Sequence, residues 1–437
     1  MKTELLSQCL TAWMEEKDVS VAELTGMVGY KSKTSVFRLL KDQCNGQTME
    51  SFVELLSPRL DEKWIKRFRR ALRVEKYGLQ KYQTFDSMMD FIRNPQRPED
   101  ACPPSMMPSG GENVLILGHP WKRTKPLVEQ MLREGRRITH YVERKAVHTV
   151  PGLLQSMIQH IGNAGYEALM LDEKPAGAWH LMVTDAGQMF LNGKWYSVTE
   201  GRDLYSSLCP EGGVPLYRFA DLHRVSDYIS FMENAYWLES GGAAIIAKQT
   251  PGIQMMPEDV VLSAFTDFVS EQIEPISAAA GSLRMILRKR IDNFFHRKKP
   301  AVVVFEQKAM EEFLRTGFTS DHFYAFRPYT PEERLRILQS LQAISRQDNM
   351  RILVTDKKPW RYSMEAYENR GLLIYPGYTR YNTEMEAYRE LFLPGQEFFT
   401  FFSELTEEMV LPAFEKDTGR TERWFSKAAQ EIADKHS

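Results

Sequence analysis

The sequence predicts a multi-domain protein in which an all-α head precedes an α/β body that contains an internal duplication. Three observations lead to this prediction. The chain of 437 residues is long enough for two to four domains. Its apolar residues follow helical spacing up to about residue 93, whereas strand and helix patterns alternate beyond residue 112. The second half of the body then repeats part of the first.

Composition limits the function classes. Apolar residues make up 43% and charged residues 26% of the chain, as in ordinary globular proteins. The net charge of -2 excludes a polycationic nucleic-acid coat, so any DNA-binding surface must be local. The four cysteines form no CxxC pair, and no spacing indicates a metal site or a cofactor. Because neither a signal peptide nor a membrane span is visible, we expect a cytoplasmic protein without a membrane partner.

Residues 1–60 read as short helices separated by turns. Ser20 begins SVAE, a capping box that pairs Ser20 with Glu23 at the start of a helix. Gly29 suits the tight turn that follows, and Ser32 can cap the next helix, KTSVFRLLKD. The segment SVAELTGMVGYKSKTSVFRLLKDQ resembles the helix-turn-helix of lambda-repressor-like (Cro-type) regulators.

That resemblance implies that the second helix of the unit enters the major groove of double-stranded DNA. Lys33 and Arg38 suit phosphate or guanine edges, and the hydroxyl groups of Thr34 and Ser35 suit either. The alternative is a plain helical bundle with a solvated basic face. The predicted DNA-binding residues are Ser20, Lys31, Lys33, Thr34, Ser35 and Arg38.

Residues 61–93 are predicted to form a basic connecting helix. Between residues 59 and 81, nine Lys or Arg face three acids, a local charge of +6. The apolar stripe is predicted at Ile65, Phe68, Leu72 and Leu79. Phosphate contact, helix pairing in a homodimer and a solvated face remain open alternatives. Residues 94–112, rich in proline, are predicted to be a flexible linker.

The body is predicted as a first α/β repeat at 113–250, a helical connection at 251–300 and a second α/β repeat with a helical tail at 301–437. Residues 223–297 and the tail after 383 read as helical. Predicted strands are NVLILG, ITHYV, EALML, WHLMVT and QMFL.

Two ungapped blocks indicate the duplication. Residues 128–140 match 310–322 at an offset of 182, and residues 154–193 match 338–377 at an offset of 184. Duplicated units commonly pack about a pseudo-twofold axis, so the equivalent pairs His140/His322 and Asp172/Asp356 are expected to face one shared cleft.

The duplicated β-α-β-α-β-β-β order resembles the phospholipase D superfamily, in which each copy contributes an HxKxxxxD motif. The first copy has Ala178 and His180 at the His and Lys positions and keeps only the acid, Asp185. The second copy has Tyr362, Met364 and Asn369 at all three. The resemblance therefore implies a degenerate, non-catalytic body similar to the effector domain of TrmB-type regulators.

The function expected from the sequence is that of a one-component transcription regulator that binds operator DNA and senses an unknown small molecule. The alternatives are a DNA-targeted phosphodiesterase or nuclease of phospholipase D type and a protein-interaction scaffold. No catalytic residue, metal or cofactor is predicted. For most of the ligand candidates, core packing or an ordinary loop role is the competing explanation. The candidate ligand-binding residues are His140, Asp172, Trp179, His180, Asp185, His322, Asp356, Trp360 and Tyr362.

Overall fold

The structure is a computed structural model that describes residues 4–93, 107–118, 121–173, 179–191, 193–198, 201–221, 233, 243–272, 277–319, 327–356, 362–376, 387–409 and 419–436. The chain divides into two compact units. One, which we call the head, comprises Met1–Met88 and Lys145–Gly152. The other, the body, comprises Met89–Arg144 and Leu153–Ser437. Most of the predicted linker lies outside the described residues.

The head is helical, as predicted. Its apolar core includes Trp13, Phe52, Trp64 and Phe68, which come from the first, fourth and fifth helices. The helices are α1 (Leu6–Lys17), α2 (Val21–Met27), α3 (Lys33–Leu40), α4 (Gly46–Leu56), α5 (Glu62–Tyr77) and α6 (Leu79–Arg93), the last of which continues beyond the head boundary.

The basic segment differs from its prediction as one connecting helix. Gly78, with a φ of 76°, separates α5 from α6, and α5 belongs to the core of the head. The buried side of α5 carries Trp64, Phe68, Ala71 and Val74, so the predicted stripe was rotated by about one residue. Helical spacing alone tolerates that error, because Ile65 and Leu72 continue the same periodic pattern on the neighbouring side.

The head also includes a segment that is distant in sequence. Residues Lys145–Gly152 group with the head, and the His148 ring packs edge-on against Phe85 with the ring centroids 6.2 Å apart. A fragment that ends near residue 90 would lack this segment. Experiments on the head therefore require the full chain.

The first sheet of the body contains β1 (Asn113–Leu117), β2 (Arg137–Glu143), β3 (Tyr166–Leu171), β4 (Leu181–Thr184), β5 (Gln188–Leu191), β6 (Lys194–Ser197) and β7 (Val214–Pro215). Its strand order is β6-β5-β4-β1-β2-β3-β7. Strands β1, β2 and β3 are parallel to one another, and β4, β5 and β6 continue the sheet as an antiparallel meander. The helices in this part of the chain are α7 (Trp121–Arg133), α8 (Arg144–Thr149), α9 (Pro151–Gln159) and α10 (Gly201–Leu208).

The second sheet has the strand order β11-β10-β9-β12-β13-β14-β8. Its strands are β8 (Tyr217–Asp221), β9 (Ala243–Lys248), β10 (Ala301–Glu306), β11 (Met350–Thr355), β12 (Tyr362–Tyr367), β13 (Gly371–Pro376) and β14 (Ala387–Pro394). The accompanying helices are α11 (Glu258–Gln272), α12 (Ser277–Phe295), α13 (Gln307–Thr316), α14 (Pro331–Ile344), α15 (Gln396–Met409) and α16 (Arg420–His436).

The two sheets repeat one topology. Strands β9 to β14 take the places of β1 to β6, with the same neighbours and the same relative directions. This is the order that an internal duplication predicts. The predicted boundaries differ from the structure, however, because the second copy of this topology starts with β9 at residue 243, inside the stretch expected to be helical. Likewise, β14 lies in the predicted helical tail.

Only one of the two matching blocks joins equivalent positions. At the offset of 184, β3 falls on β11 residue for residue. At the offset of 182, His140 in β2 is matched to a segment after α13, whereas the topology pairs β2 with β10. The false match has a local cause, because both segments end an amphipathic helix at a glycine with positive φ, 79° at Gly135 and 80° at Gly317.

The two sheets meet at two short strands, β7 and β8, which are separated by a bend at Leu216. Val214 and Pro215 pair antiparallel with β3, and residues 217–221 pair antiparallel with β14. At the bend, Leu216 N donates to Ala168 O, and Leu216 O accepts a hydrogen bond from Phe392 N. Within the second sheet, β14 runs opposite to β9, β10 and β11.

The edges that meet at this junction do not fit the expected pseudo-twofold axis. A twofold axis would join the same edge of both copies, but here the β3 edge of one meets the β14 edge of the other. Asp172 follows β3, which lies beside the junction, whereas Asp356 follows β11 at the far edge of the second sheet. The two aspartates consequently do not face one cleft.

Candidate nucleic-acid interface

The helix-turn-helix region of the head is built by local capping. The Ser20 Oγ accepts a hydrogen bond from Glu23 N at 3.2 Å, and the Glu23 carboxylate accepts one from Ser20 N at 2.8 Å. Gly29 adopts a φ of 69° in the turn after α2. Ser32 then caps α3, because its Oγ accepts from Thr34 N at 3.2 Å. The sequence-predicted caps and turn are thus all present.

Core packing fixes which side of α3 faces outward. Val36 and Leu39 are buried in the head core, together with Leu24 from α2. Residues three and four positions apart share one face of a helix, so Lys33, Phe37 and Lys41 lie together on the side opposite the core. Its exposed face carries Lys33, Thr34, Phe37, Arg38 and Lys41 at the C-terminal end.

The structure groups the predicted DNA-binding residues unevenly. Lys33, Thr34 and Arg38 share the exposed face of α3, Lys31 is exposed just before it, and Ser35 is half-buried. Ser20 lies at the start of α2, where its hydroxyl serves the capping box. The sequence interpretation missed Phe37 and Lys41, although their spacing of four and eight residues from Lys33 could have identified them.

The cations of this face lack acidic partners within the part of the chain that the structure describes. Lys31, Lys33, Arg38 and Lys41 form no ion pair with any residue that the structure describes. Uncompensated positive charge on one exposed helix is the electrostatic feature that a phosphate backbone requires.

The basic helix α5 is different, because internal acids neutralise much of it. Arg67 donates two hydrogen bonds to the Glu4 carboxylate, at 2.7 and 2.9 Å, and this hydrogen bonding raises the pKa of Arg67. Further ion pairs are Lys63–Glu16 at 3.1 Å, Lys66–Glu62 at 2.7 Å and Arg70–Asp86 at 2.8 Å. Four of the nine cations that suggested phosphate contact by this segment are thus paired within the head, and Arg73 is buried.

The candidate ligand residues of the first sheet lie in separate places. His140 is buried in β2, where Nδ1 is hydrogen-bonded to the Tyr166 hydroxyl at 2.9 Å and the ring stacks on Trp121. Asp172 is exposed and pairs with Arg144 at 2.6 Å. The Trp179 ring lies against Gly118 at the end of β1, and His180 Nδ1 hydrogen-bonds to Gly118 O.

The remaining candidates do not complete a site either. Asp185 accepts a hydrogen bond from Asn113 Nδ2 at 2.6 Å beside the β4–β5 turn. Asp356 pairs with Arg420 at 3.1 Å, and Tyr362 begins β12 half-buried. His322 and Trp360 lie outside the described residues. No group of three possible metal ligands occurs within the described ranges.

A buried polar group that the sequence did not reveal lies where the two sheets join. The Arg389 guanidinium, on β14, donates to the backbone oxygens of Asn163 and Tyr166 and lies over the Tyr217 ring at 4.5 Å. The Tyr217 hydroxyl donates to Met157 O at 2.6 Å. These bonds satisfy polar groups that closure of the junction removes from water.

His160 makes this junction sensitive to acid. Burial, together with the nearby positive charges of Lys125 and Arg389, lowers its pKa from 6.5 to about 4, and its Nε2 has no hydrogen-bond partner among the described residues. The unfolded chain therefore binds the proton more tightly than the folded chain. We expect full stability above pH 6.5 and a loss of up to about 1.4 kcal/mol per pH unit as the pH falls toward 4.

The measurement is urea unfolding at several pH values, with wild type and His160→Gln compared. The variant lacks the titrating ring, so its free energy of unfolding should fall less between pH 6.5 and 4 than that of wild type. If the free energy of unfolding depends on pH identically in the two proteins, protonation of His160 does not affect stability.

A second buried polar group lies in the other sheet. Lys248 Nζ, at the end of β9, is 2.7 Å from Glu365 Oε1 on β12, and the two side chains are only 1% and 5% exposed. The Tyr375 hydroxyl donates to Glu365 at 2.9 Å, and the Tyr367 hydroxyl donates to its other oxygen. The pair is fully bonded, which is typical of a structural ion pair.

Comparisons with known proteins found no similar protein. No family model, curated protein or solved structure matches the chain. Within the part of the chain that the structure describes, no helix is long and apolar enough to cross a membrane.

Proposed function

We propose that the protein is a transcription regulator whose head binds double-stranded DNA through the exposed face of α3. The observation that supports this most directly is the contrast between the two basic helices. The cations of α5 are largely paired within the head, whereas Lys33 and Arg38 on α3 and Lys41 directly after it have no acidic partner in the described chain. These three charges take part in no ion pair that stabilises the head, and uncompensated positive charge on one exposed face attracts a phosphate backbone.

The geometry favours DNA over an acidic protein. The unpaired cations begin at the capped N-terminus of α3, which the positive end of the helix dipole also favours for phosphate. A hydroxyl side chain, Thr34, lies among them and suits phosphate or base edges. The resemblance to Cro-type regulators places the same helix in the major groove.

The test uses the full chain and a pool of random duplexes. Rounds of selection should recover a preferred sequence, and affinity for it should fall steeply with salt. If the four cations at α3 each neutralise one phosphate, a rise from about 50 to about 200 mM salt should weaken binding roughly 100-fold. Binding that recovers no sequence, or that is insensitive to salt, would refute the proposal.

For the body we propose small-molecule binding, but at a different place from the sequence candidates. A cavity of about 540 Å³ lies at the second sheet, within the size range of ligand pockets. It is lined by residues of β10 and β11 with Thr406 from α15 and Thr421 from α16. None of the sequence-predicted ligand residues within the described ranges lines it. The phospholipase D-type alternative gains no support, because Met364, at the motif's Lys position, is buried.

A further inference from the structure

Phe37 is an exposed aromatic residue on the proposed DNA-binding face. Its side chain is 47% exposed, whereas its neighbours Val36 and Leu39 are buried and hold α3 in the head. The fold therefore does not use the Phe37 ring as a core anchor. An apolar ring left partly in water costs free energy that contact with a partner would recover.

The surroundings of Phe37 determine which partner fits. Lys33 precedes it by one helical turn, Lys41 follows it by one turn, and Arg38 is adjacent. None of the three cations has an ion-pair partner in the described residues. The apolar centre of a protein interface is depleted in uncompensated charge, so this mixture is unsuited to a second copy of the chain.

The major groove of DNA offers both features that this face requires. Phosphates on either side neutralise cations, and the C5-methyl group of thymine is an apolar group on the base edges. Phenylalanine is one of the side chains that contact this methyl group. The geometry points to Phe37 as a specificity-determining residue that reads a thymine methyl group, an inference that rests on the proposed function of α3.

The experiment replaces thymines by deoxyuridine, which removes only the methyl group. The full chain is titrated with its selected duplex, in which each thymine is changed in turn. At the contacted position, wild type should lose about fourfold in affinity, the value expected for one buried methyl-sized group. Phe37→Ala should bind the unmodified duplex about tenfold more weakly and should not distinguish thymine from deoxyuridine there.

Leu55→Ala is the matched control, because Leu55 is 49% exposed on α4 of the same head. It should keep wild-type affinity and wild-type sensitivity to deoxyuridine. Thermal melting checks that Phe37→Ala remains folded, as its exposure predicts, and Phe37→Leu should retain part of the discrimination.

The outcomes separate the inference from the function on which it rests. If wild type selects a specific duplex but every deoxyuridine change affects wild type and Phe37→Ala equally, the Phe37 assignment is wrong and the DNA-binding proposal stands. If Phe37→Ala instead converts a dimer to a monomer, the ring contacts a second copy of the chain. If wild type selects no duplex, both proposals fail together.

Discussion

Replacing Lys33 and Arg38 together by alanine is expected to weaken binding to the selected duplex by roughly 30- to 1,000-fold. The proposal assigns Lys33 and Arg38 to phosphates or guanine edges, and a bidentate contact of arginine with guanine is worth about 1–3 kcal/mol of discrimination. Lys33 lies at the first position of α3. The salt dependence should therefore also become shallower, by about one unit of slope for each lost phosphate contact. Gel-shift titrations of the full chain at several salt concentrations measure both effects.

The matched control is Lys63→Ala with Lys66→Ala. It removes the same formal charge from the same head, but from two lysines of α5 that pair with Glu16 and Glu62. We expect less than a threefold change, since surface pairs contribute only about 0–1 kcal/mol and α5 is not placed in the groove. If both double variants weaken binding equally, the head attracts DNA by overall charge and α3 is not the recognition helix.

The largest expected effect on stability comes from Lys248→Met in the second sheet. The substitution removes an ammonium group 2.7 Å from Glu365 and leaves a carboxylate that is buried in the sheet. Breaking a buried pair in this way typically costs about 3–5 kcal/mol, because the remaining charge has no compensation. The hydroxyl groups of Tyr375 and Tyr367 donate hydrogen bonds to Glu365, which reduces that cost but does not neutralise the charge. Urea unfolding of the full chain measures the change in the free energy of unfolding.

Two further variants separate charge burial from the general effect of losing a lysine. Lys299 pairs with Glu368 at 2.9 Å, but both side chains are largely exposed, so Lys299→Met should cost less than about 1 kcal/mol. Adding Glu365→Gln to Lys248→Met should restore much of the lost stability, because the amide keeps an acceptor for the tyrosines without a charge. A Lys248→Met variant as stable as Lys299→Met would contradict the buried pair.

The sequence by itself determined the local architecture of the head. Ser20 with Glu23, Gly29 and Ser32 act on backbone groups within a few residues of themselves, so their positions were enough to predict both helices and the turn. The exposed side of α3 followed from its spacing, except that Phe37 and Lys41 were overlooked. The duplication was also visible, because the offset of 184 reflects equivalent strands.

Tertiary structure decided what those local signals could not. Glu4 and Glu16 are more than 40 residues from the arginine and lysine that they neutralise on α5, so no pattern along the chain reveals that this helix has lost most of its free charge. In the same way, β9 and β14 read as parts of helical stretches, because a short apolar run fits either structure until a neighbouring strand supplies its hydrogen bonds.

The arrangement of the two repeats was likewise beyond the sequence. Equivalent residues can be matched along the chain, but the match does not say which edges of the two sheets meet. The segment through Leu216 joins β3 to β14, and this pairing leaves Asp172 beside the junction and Asp356 at the far edge of the second sheet. The physical reason is that strands pair through hydrogen bonds between backbone groups. A match between the side chains of two repeats therefore does not predict which of their strands pair.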